Sequence, residues 1–287
     1  MQIGAVYPQI ELGGDPEALD RIGRAVEDMG YDHLVMFDHV VGAVHADRNP
    51  PLWGHYTNQD PFHDPLVAFG YLAGVTKRIE LVTGVLILPQ RQTVLVAKQA
   101  TDVDLLSGGR LRLGVGAGWN YVEYDALGQN FETRGQKLSE QIVYLRRLWS
   151  EAPLTFTGKF DRIERANIIP RPKRQIPIYC GGLSGPAYQR AAKLADGFIF
   201  AGAMGALTEW ERVRQLLKEN GRPVTGFGAH CLIQNNGRGT PLQETVDAIR
   251  RWQDAGGTHA SVVTMRLNFT TMEQHIDHLA EVRRCLG

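Results

Sequence analysis

Asp38-His39 sets a carboxylate beside an imidazole, a pair that can accept or donate a hydrogen bond or move a proton near neutral pH. The same pair could instead cap local backbone and line a surface. Gly181-Gly182-Leu183-Ser184-Gly185-Pro186 is a second chemical signal. Its glycines let backbone approach a ligand, and Ser184 with Pro186 opens a helix whose free N–H groups favour phosphate; a tight turn capped by Ser184 would look the same. Gly114-Val115-Gly116-Ala117-Gly118-Trp119 lacks the full Gly-x-Gly-x-x-Gly spacing and the acidic residue of a dinucleotide fold. It reads better as a side-chain-poor floor around Gly116 and Ala117, with Trp119 flanking a planar ligand. His45, His55 and His63 are too irregularly spaced to form a metal motif, so no metal is expected there.

Such residues can only converge if the chain brings them to one end of a scaffold. Short apolar runs alternate with longer amphipathic ones, the pattern of parallel strands buried on both faces and their crossover helices. The strands are expected at Gln2 to Tyr7, His33 to Phe37, Ile79 to Leu88, Leu111 to Val115, Pro177 to Cys180, Gly197 to Ala201, Thr225 to Ile233 and Ala260 to Met265. The helices are expected at Pro16 to Met29, Pro65 to Val75, Val94 to Leu106, Lys137 to Trp149, Pro186 to Leu194, Leu207 to Asn220, Leu242 to Ala255 and Met272 to Cys285. Strict alternation predicts an α/β class (β/α)₈ TIM barrel, a single domain over residues 1–287, with its chemistry at the carboxyl ends of the strands. Asp15-Pro16 and Asp64-Pro65 read as helix starts. Two insertions stand out: His39 to Asp64 after strand two, read as a lid, and Ser150 to Gln175 before strand five, where Leu154 to Phe160 reads as a hairpin beside the barrel mouth.

Composition narrows the partners. Lys plus Arg and Asp plus Glu number 31 each in 287 residues, so no whole-chain field attracts nucleic acid or an anionic membrane, and a small-molecule ligand is expected. Neither a leader nor an apolar run of membrane-spanning length is visible, which points to a cytoplasmic protein. Cys180, Cys231 and Cys285 are far apart and odd in number, which argues against a disulfide framework or a zinc site. A metal-dependent hydrolase of the amidohydrolase type would carry His-x-His after strand one, where Tyr7-Pro8-Gln9 stands.

Val35 to His39, Thr83 to Pro89, Asp104 to Leu111, Gly114 to Trp119 and Ala195-Asp196-Gly197 together resemble the luciferase-like monooxygenase superfamily, and within it the oxidoreductases that use coenzyme F420. The resemblance implies a (β/α)₈ barrel and a bulge in strand three with a non-prolyl cis peptide, at Gly84-Val85, backing one face of a flavin or deazaflavin ring. It further implies that Gly181, Gly182 and Ser184 contact the cofactor phosphate, that Gly116 and Ala117 lie near the ring, that Asp38 helps to position the deazaflavin and that His39 faces the substrate. Coenzyme F420 is the expected cofactor, FMN the alternative. The implied activity is hydride transfer with a small organic substrate; an FMN-dependent monooxygenase or a non-catalytic cofactor-binding barrel would use the same frame. Relatives that oxidise glucose 6-phosphate carry an acid and a Trp where Ala117 and Ala43 stand, which argues against sugar-phosphate oxidation. The resemblance also implies a homodimer.

Overall fold

A computed structural model describes residues 1–234 and 242–287. The first half of the barrel comprises β1 (Gln2–Val6), α1 (Pro16–Asp28), β2 (His33–Met36), α2 (Pro65–Val75), β3 (Glu80–Thr83), β4 (Leu86–Ile87), α3 (Thr93–Ser107), β5 (Leu111–Gly116), α4 (Tyr121–Ala126) and α5 (Arg134–Ser150). The second comprises β6 (Leu154–Thr157), β7 (Arg162–Ala166), β8 (Ile178–Gly181), α6 (Gly185–Leu194), β9 (Gly197–Ala201), α7 (Ala203–Glu219), β10 (Gly228–Gln234), α8 (Leu242–Asp254), β11 (His259–Val263) and α9 (Met272–Leu286). Parallel pairing runs β3-β2-β1-β11-β10-β9-β8-β5, and a β3–β5 pairing closes the ring into a barrel.

Local chemistry explains the helix starts. The Asp15 carboxylate accepts from the Glu17 N–H, and that of Asp64 from the Leu66 and Val67 N–H groups, with proline following each cap. Other boundaries differ from expectation. The strand expected over Ile79 to Leu88 is two pieces, β3 and β4, interrupted at Gly84-Val85. The strand expected from Thr225 begins at Gly228, because Gly226 turns the chain at φ 86° and the Phe227 N–H bonds back to Val224 O. The helix expected from Leu207 begins at Ala203, and α4 was not anticipated.

Alternate strand residues serve two cores. Outward ones such as Leu34, Met36, Leu113, Cys180, Phe198 and Phe200 pack beneath the helices. Inward ones fill the barrel: Val6, Val35, Val82, Tyr179, Ile199, Leu232 and Val263 form a separate cluster. Two large inward rings sit against glycines, His33 against Gly4 and Tyr179 against Gly197 and Gly228. A Cβ on Gly228 would lie 1.8 Å from Tyr179 Oη, so this ring fits only because Gly228 has none. The insertion before β8 is a hairpin of β6 and β7, its second strand lying beyond the Phe160 expected as its end. Its turn is pinned by Glu140 of α5, which accepts from the N–H groups of Lys159, Phe160 and Asp161 at 2.6, 2.8 and 2.9 Å. Thr93 Oγ1, opening α3, donates to Asp161 at 2.7 Å.

Candidate active site

The carboxyl ends of β2, β4, β5 and β8 meet around one short segment. The Gly84–Val85 peptide is cis, and the Gly84 N–H still bonds to Met36 O of β2 at 2.8 Å. The Val85 side chain then falls between β5 and β8: a Cβ on Gly116 would be 2.4 Å from Val85 Cγ2, and one on Gly181 would be 2.7 Å from Cγ1. These two glycines are therefore space for the bulge. Val85, Phe37 and Ile10 are only partly buried and pack on the inner apolar cluster, giving the barrel mouth an apolar floor.

Asp38 locks the bulge to strand two. Its side chain is 1% exposed; one oxygen accepts from the Ile87 N–H at 2.8 Å and the other from Arg91 Nη2 at 2.7 Å. Arg91 Nη1 reaches Asp64 at 2.8 Å, so the guanidinium also ties down the end of the long loop after β2. Burial raises the Asp38 pKa, against the opposing pull of Arg91 and the Ile87 N–H. Such a carboxylate acts on the site by holding backbone.

His39 belongs to a different network. Its Nδ1 lies 3.4 Å from Glu123 Oε2, with side-chain exposures of 11% and 1%. Glu123 Oε1 accepts from the Val40 and Val41 N–H groups at 2.6 and 3.1 Å, and Gln90 Nε2 donates to Oε2 at 3.2 Å. Burial alone would raise the Glu123 pKa, but His39, Val41 and Gln90 together hold it below the usual value. Phe62, Tyr56 and Trp119 surround the imidazole edge-on, with centroids 4.8, 5.1 and 5.6 Å away. Asp38 and His39, adjacent in sequence, thus do separate jobs.

The loop between them and α2 is ordered over the mouth. Tyr121 Oη donates to Pro50 O at 2.6 Å, Arg266 bonds to His55 O, and Trp119 packs so closely on Gly54 that a Cβ there would lie 2.1 Å from the indole. His45 bonds to Tyr56 O at 3.0 Å and so braces this loop. Across the mouth, Gly182 at φ 144° turns β8 into α6, whose N-cap Ser184 makes no side-chain capping bond. The N–H groups of Leu183, Ser184 and Gly185 have no acceptor among the described residues, which leaves an open helix N-terminus. Gly116 ends β5, and Ala117 O accepts from Tyr124 Oη at 2.5 Å.

Sequence reasoning missed Glu123 and assigned no role to Arg91. A signal existed for the first: Asn120 followed three residues later by Glu123 is a helix-start pattern, and Asn120 does accept from the Val122 and Glu123 N–H groups. Glu123, however, turns to His39 rather than back to its cap.

The family model for luciferase-like monooxygenases matches residues 4–236, and the chain belongs to that family. An uncharacterised protein of Mycobacterium tuberculosis is 32% identical over 257 residues, covering 87% of this chain and 85% of that protein. An F420-dependent glucose-6-phosphate dehydrogenase of Intrasporangium calvum is 33% identical over 205 residues, covering 68% of this chain but 56% of the enzyme. Among solved structures, an F420-dependent secondary alcohol dehydrogenase superposes with a TM-score of 0.81 at 17% identity, covering 100% of this chain and 99% of the other, a likeness of fold. Members of the family are oxidoreductases and monooxygenases, and the chain's fold is the TIM barrel expected of it.

Proposed function

We propose that the protein is an oxidoreductase that transfers hydride between coenzyme F420 and a small organic substrate. The observation that carries this reading is the convergence, at one end of the barrel, of the Gly84-Val85 bulge, the open turn from β8 into α6, and His39. The residues present fit a phosphate-bearing ring cofactor. Among the described residues the Ser184 hydroxyl and the N–H groups of Leu183, Ser184 and Gly185 have no partner, and Gln9 Nε2, buried after β1, has none either and can donate to a ring carbonyl. Gly181, Gly182 and Ser184 would hold the phosphate, and Gly84 and Val85 would back the ring beside Gly116 and Ala117. Asp38 would act through Ile87, keeping the bulge in place.

When bound, the deazaflavin supplies a hydride donor or acceptor that reacts little with oxygen. The chain's own contribution is to bind, orient and exclude water. The aromatic wall of Tyr56, Phe62 and Trp119 lowers the local polarity around His39, which would hydrogen-bond to the reacting substrate oxygen and move its proton. An F420-dependent dehydrogenase among the relatives supports the cofactor choice. The second reading, an FMN-dependent monooxygenase, is supported by the character of the family itself.

Fluorescence titration of the apoprotein with F420 and with FMN separates the two. Saturable F420 binding followed by anaerobic hydride transfer to a carbonyl substrate is the expected result. Binding of FMN alone, with oxygen consumption, would establish the second reading instead.

A further inference from the structure

We propose that Glu123 is the positioning residue for His39: it holds the imidazole with its proton on Nδ1 and leaves Nε2 as the atom that exchanges a proton with substrate. The activity half of this proposal rests on the oxidoreductase reading; the proton placement does not. The geometry points to it in three ways. A carboxylate only accepts, and Nδ1 is the His39 nitrogen that faces it, 3.4 Å from Glu123 Oε2, so the pairing favours the tautomer with its hydrogen on Nδ1. His39 Nε2 has no polar partner among the described residues, while Nδ1 is the nitrogen turned to Glu123 Oε2. The second Glu123 oxygen fixes the Val40 and Val41 N–H groups that follow His39, so one carboxylate sets both ring and backbone.

This arrangement also brings an acid to a site where Ala117 stands in the loop after β5. Glu123 reaches His39 from the first turn of α4, which the Asn120 cap starts. It does not face the substrate itself. Its role is to choose the tautomer and to stabilise the imidazolium formed when Nε2 takes a proton from a substrate hydroxyl; in the reverse direction Nε2 returns that proton to the oxygen.

Glu123→Gln separates positioning from simple bracing. The retained Oε1 can still accept from Val40 and Val41, while the new NH₂ group faces His39 Nδ1 and forces the proton to Nε2. Gln90, whose Oε1 is buried without a partner, can turn its amide to accept from that NH₂. The variant is thus expected to fold.

The experiment is ¹⁵N NMR of histidine-labelled protein, with His39→Gln assigning the signal. Wild type should show His39 protonated on Nδ1, and Glu123→Gln should show it on Nε2. In turnover, Glu123→Gln should lower kcat on the order of 10²- to 10⁴-fold with KM and cofactor affinity changed by less than about threefold. Wild-type His39 protonated on Nε2 would overturn the proposal before any variant is made. A folded Glu123→Gln with unchanged tautomer, or with wild-type kcat, would overturn it as well. A wild type that turns over neither F420 nor FMN, yet switches tautomer as described, would fail the oxidoreductase reading and sustain the proton placement.

Discussion

At the scale of single residues, the glycines that looked like a floor for a ligand have a second use. Gly116 and Gly181 flank Val85, and either would collide with it through an added methyl group. Gly116→Ala is therefore expected to destabilise the fold by about 1–3 kcal/mol, the usual range for overpacking a close-packed site. Val85→Ala should recover part of that loss in the double variant, since contacting residues couple. Urea unfolding of both single variants and the double checks this; strictly additive effects would mean that Val85 does not occupy the space beside Gly116. The glycines were legible in sequence, and the bulge through the family resemblance, but their mutual dependence was not. It arises because residues about thirty and a hundred positions apart share one gap in the barrel, and neither segment's local pattern encodes the other. Glu123 was hidden for the same reason: its partner lies 83 to 84 positions away in the chain, on the loop after β2.

At the scale of elements, the amino ends of the strands carry a polar layer that balances the apolar mouth. His33 and His230 each place Nε2 2.7 Å from Ser261 Oγ, and Arg112 Nη1 lies 3.4 Å from His230 Nδ1. Arg112 can only donate, so the His230 proton sits on Nε2 and goes to Ser261, whose hydroxyl then donates to His33 Nε2. The His33 proton is left on Nδ1, which is buried without a partner among the described residues.

His259 packs beside His33 and His230, with ring centroids 5.9 and 5.6 Å away, and burial and the nearby Arg112 push all three histidines down, His259 to about 3. The unfolded chain binds these protons below a pH of about 6.5, whereas the folded one does not, so stability falls as pH drops from about 6.5 towards the folded values. His259→Asn removes one such group. Its unfolding free energy between pH 6.5 and 4.5 should lose less on acidification, by on the order of 1.4 kcal/mol per pH unit, than that of wild type. Parallel slopes for the two proteins would show that His259 takes up its proton in the folded state. The helices and most strand positions were readable from periodicity and caps such as Asp64, because those signals are local. The division of Ile79 to Leu88 was not readable from periodicity, since an apolar run does not reveal a bulge within it.

At the scale of the whole molecule, the eight-unit alternation was the most legible feature, because the barrel strands are largely buried on both sides and so written as mostly apolar runs, as in β2, β5 and β8. Among the described residues no helix is long and apolar enough to cross a membrane. α2 is nevertheless apolar all round, although Val67 is 71% exposed and Tyr71 shares its open side with Gly70 and Gly74. Leu95 and Leu106 of the adjoining α3 are also exposed, the latter 70%. Beside them a groove of about 800 Å³ runs between α3, α5 and the β6–β7 hairpin, lined in part by Val94, Phe160 and Ile169.

Exposed apolar surface of this kind fits a second copy of the chain, which would bury like against like about a two-fold axis. Sedimentation velocity should find a dimer in wild type and a monomer after combined Val67→Glu and Leu106→Glu substitution. A monomeric wild type at micromolar concentration would leave this face without a self-partner.

The most direct test of the functional account is the cofactor titration carried out in parallel on wild type and Ser184→Glu. A carboxylate at the open start of α6 would meet the cofactor phosphate with like charge. Wild type should bind F420 saturably, and Ser184→Glu should bind it at least about tenfold more weakly, a loss of about 1.4 kcal/mol, with no change in thermal stability. Absence of binding for both F420 and FMN, or equal affinity in the two proteins, would contradict a phosphate-bearing ring cofactor held between Ser184 and the Gly84-Val85 bulge.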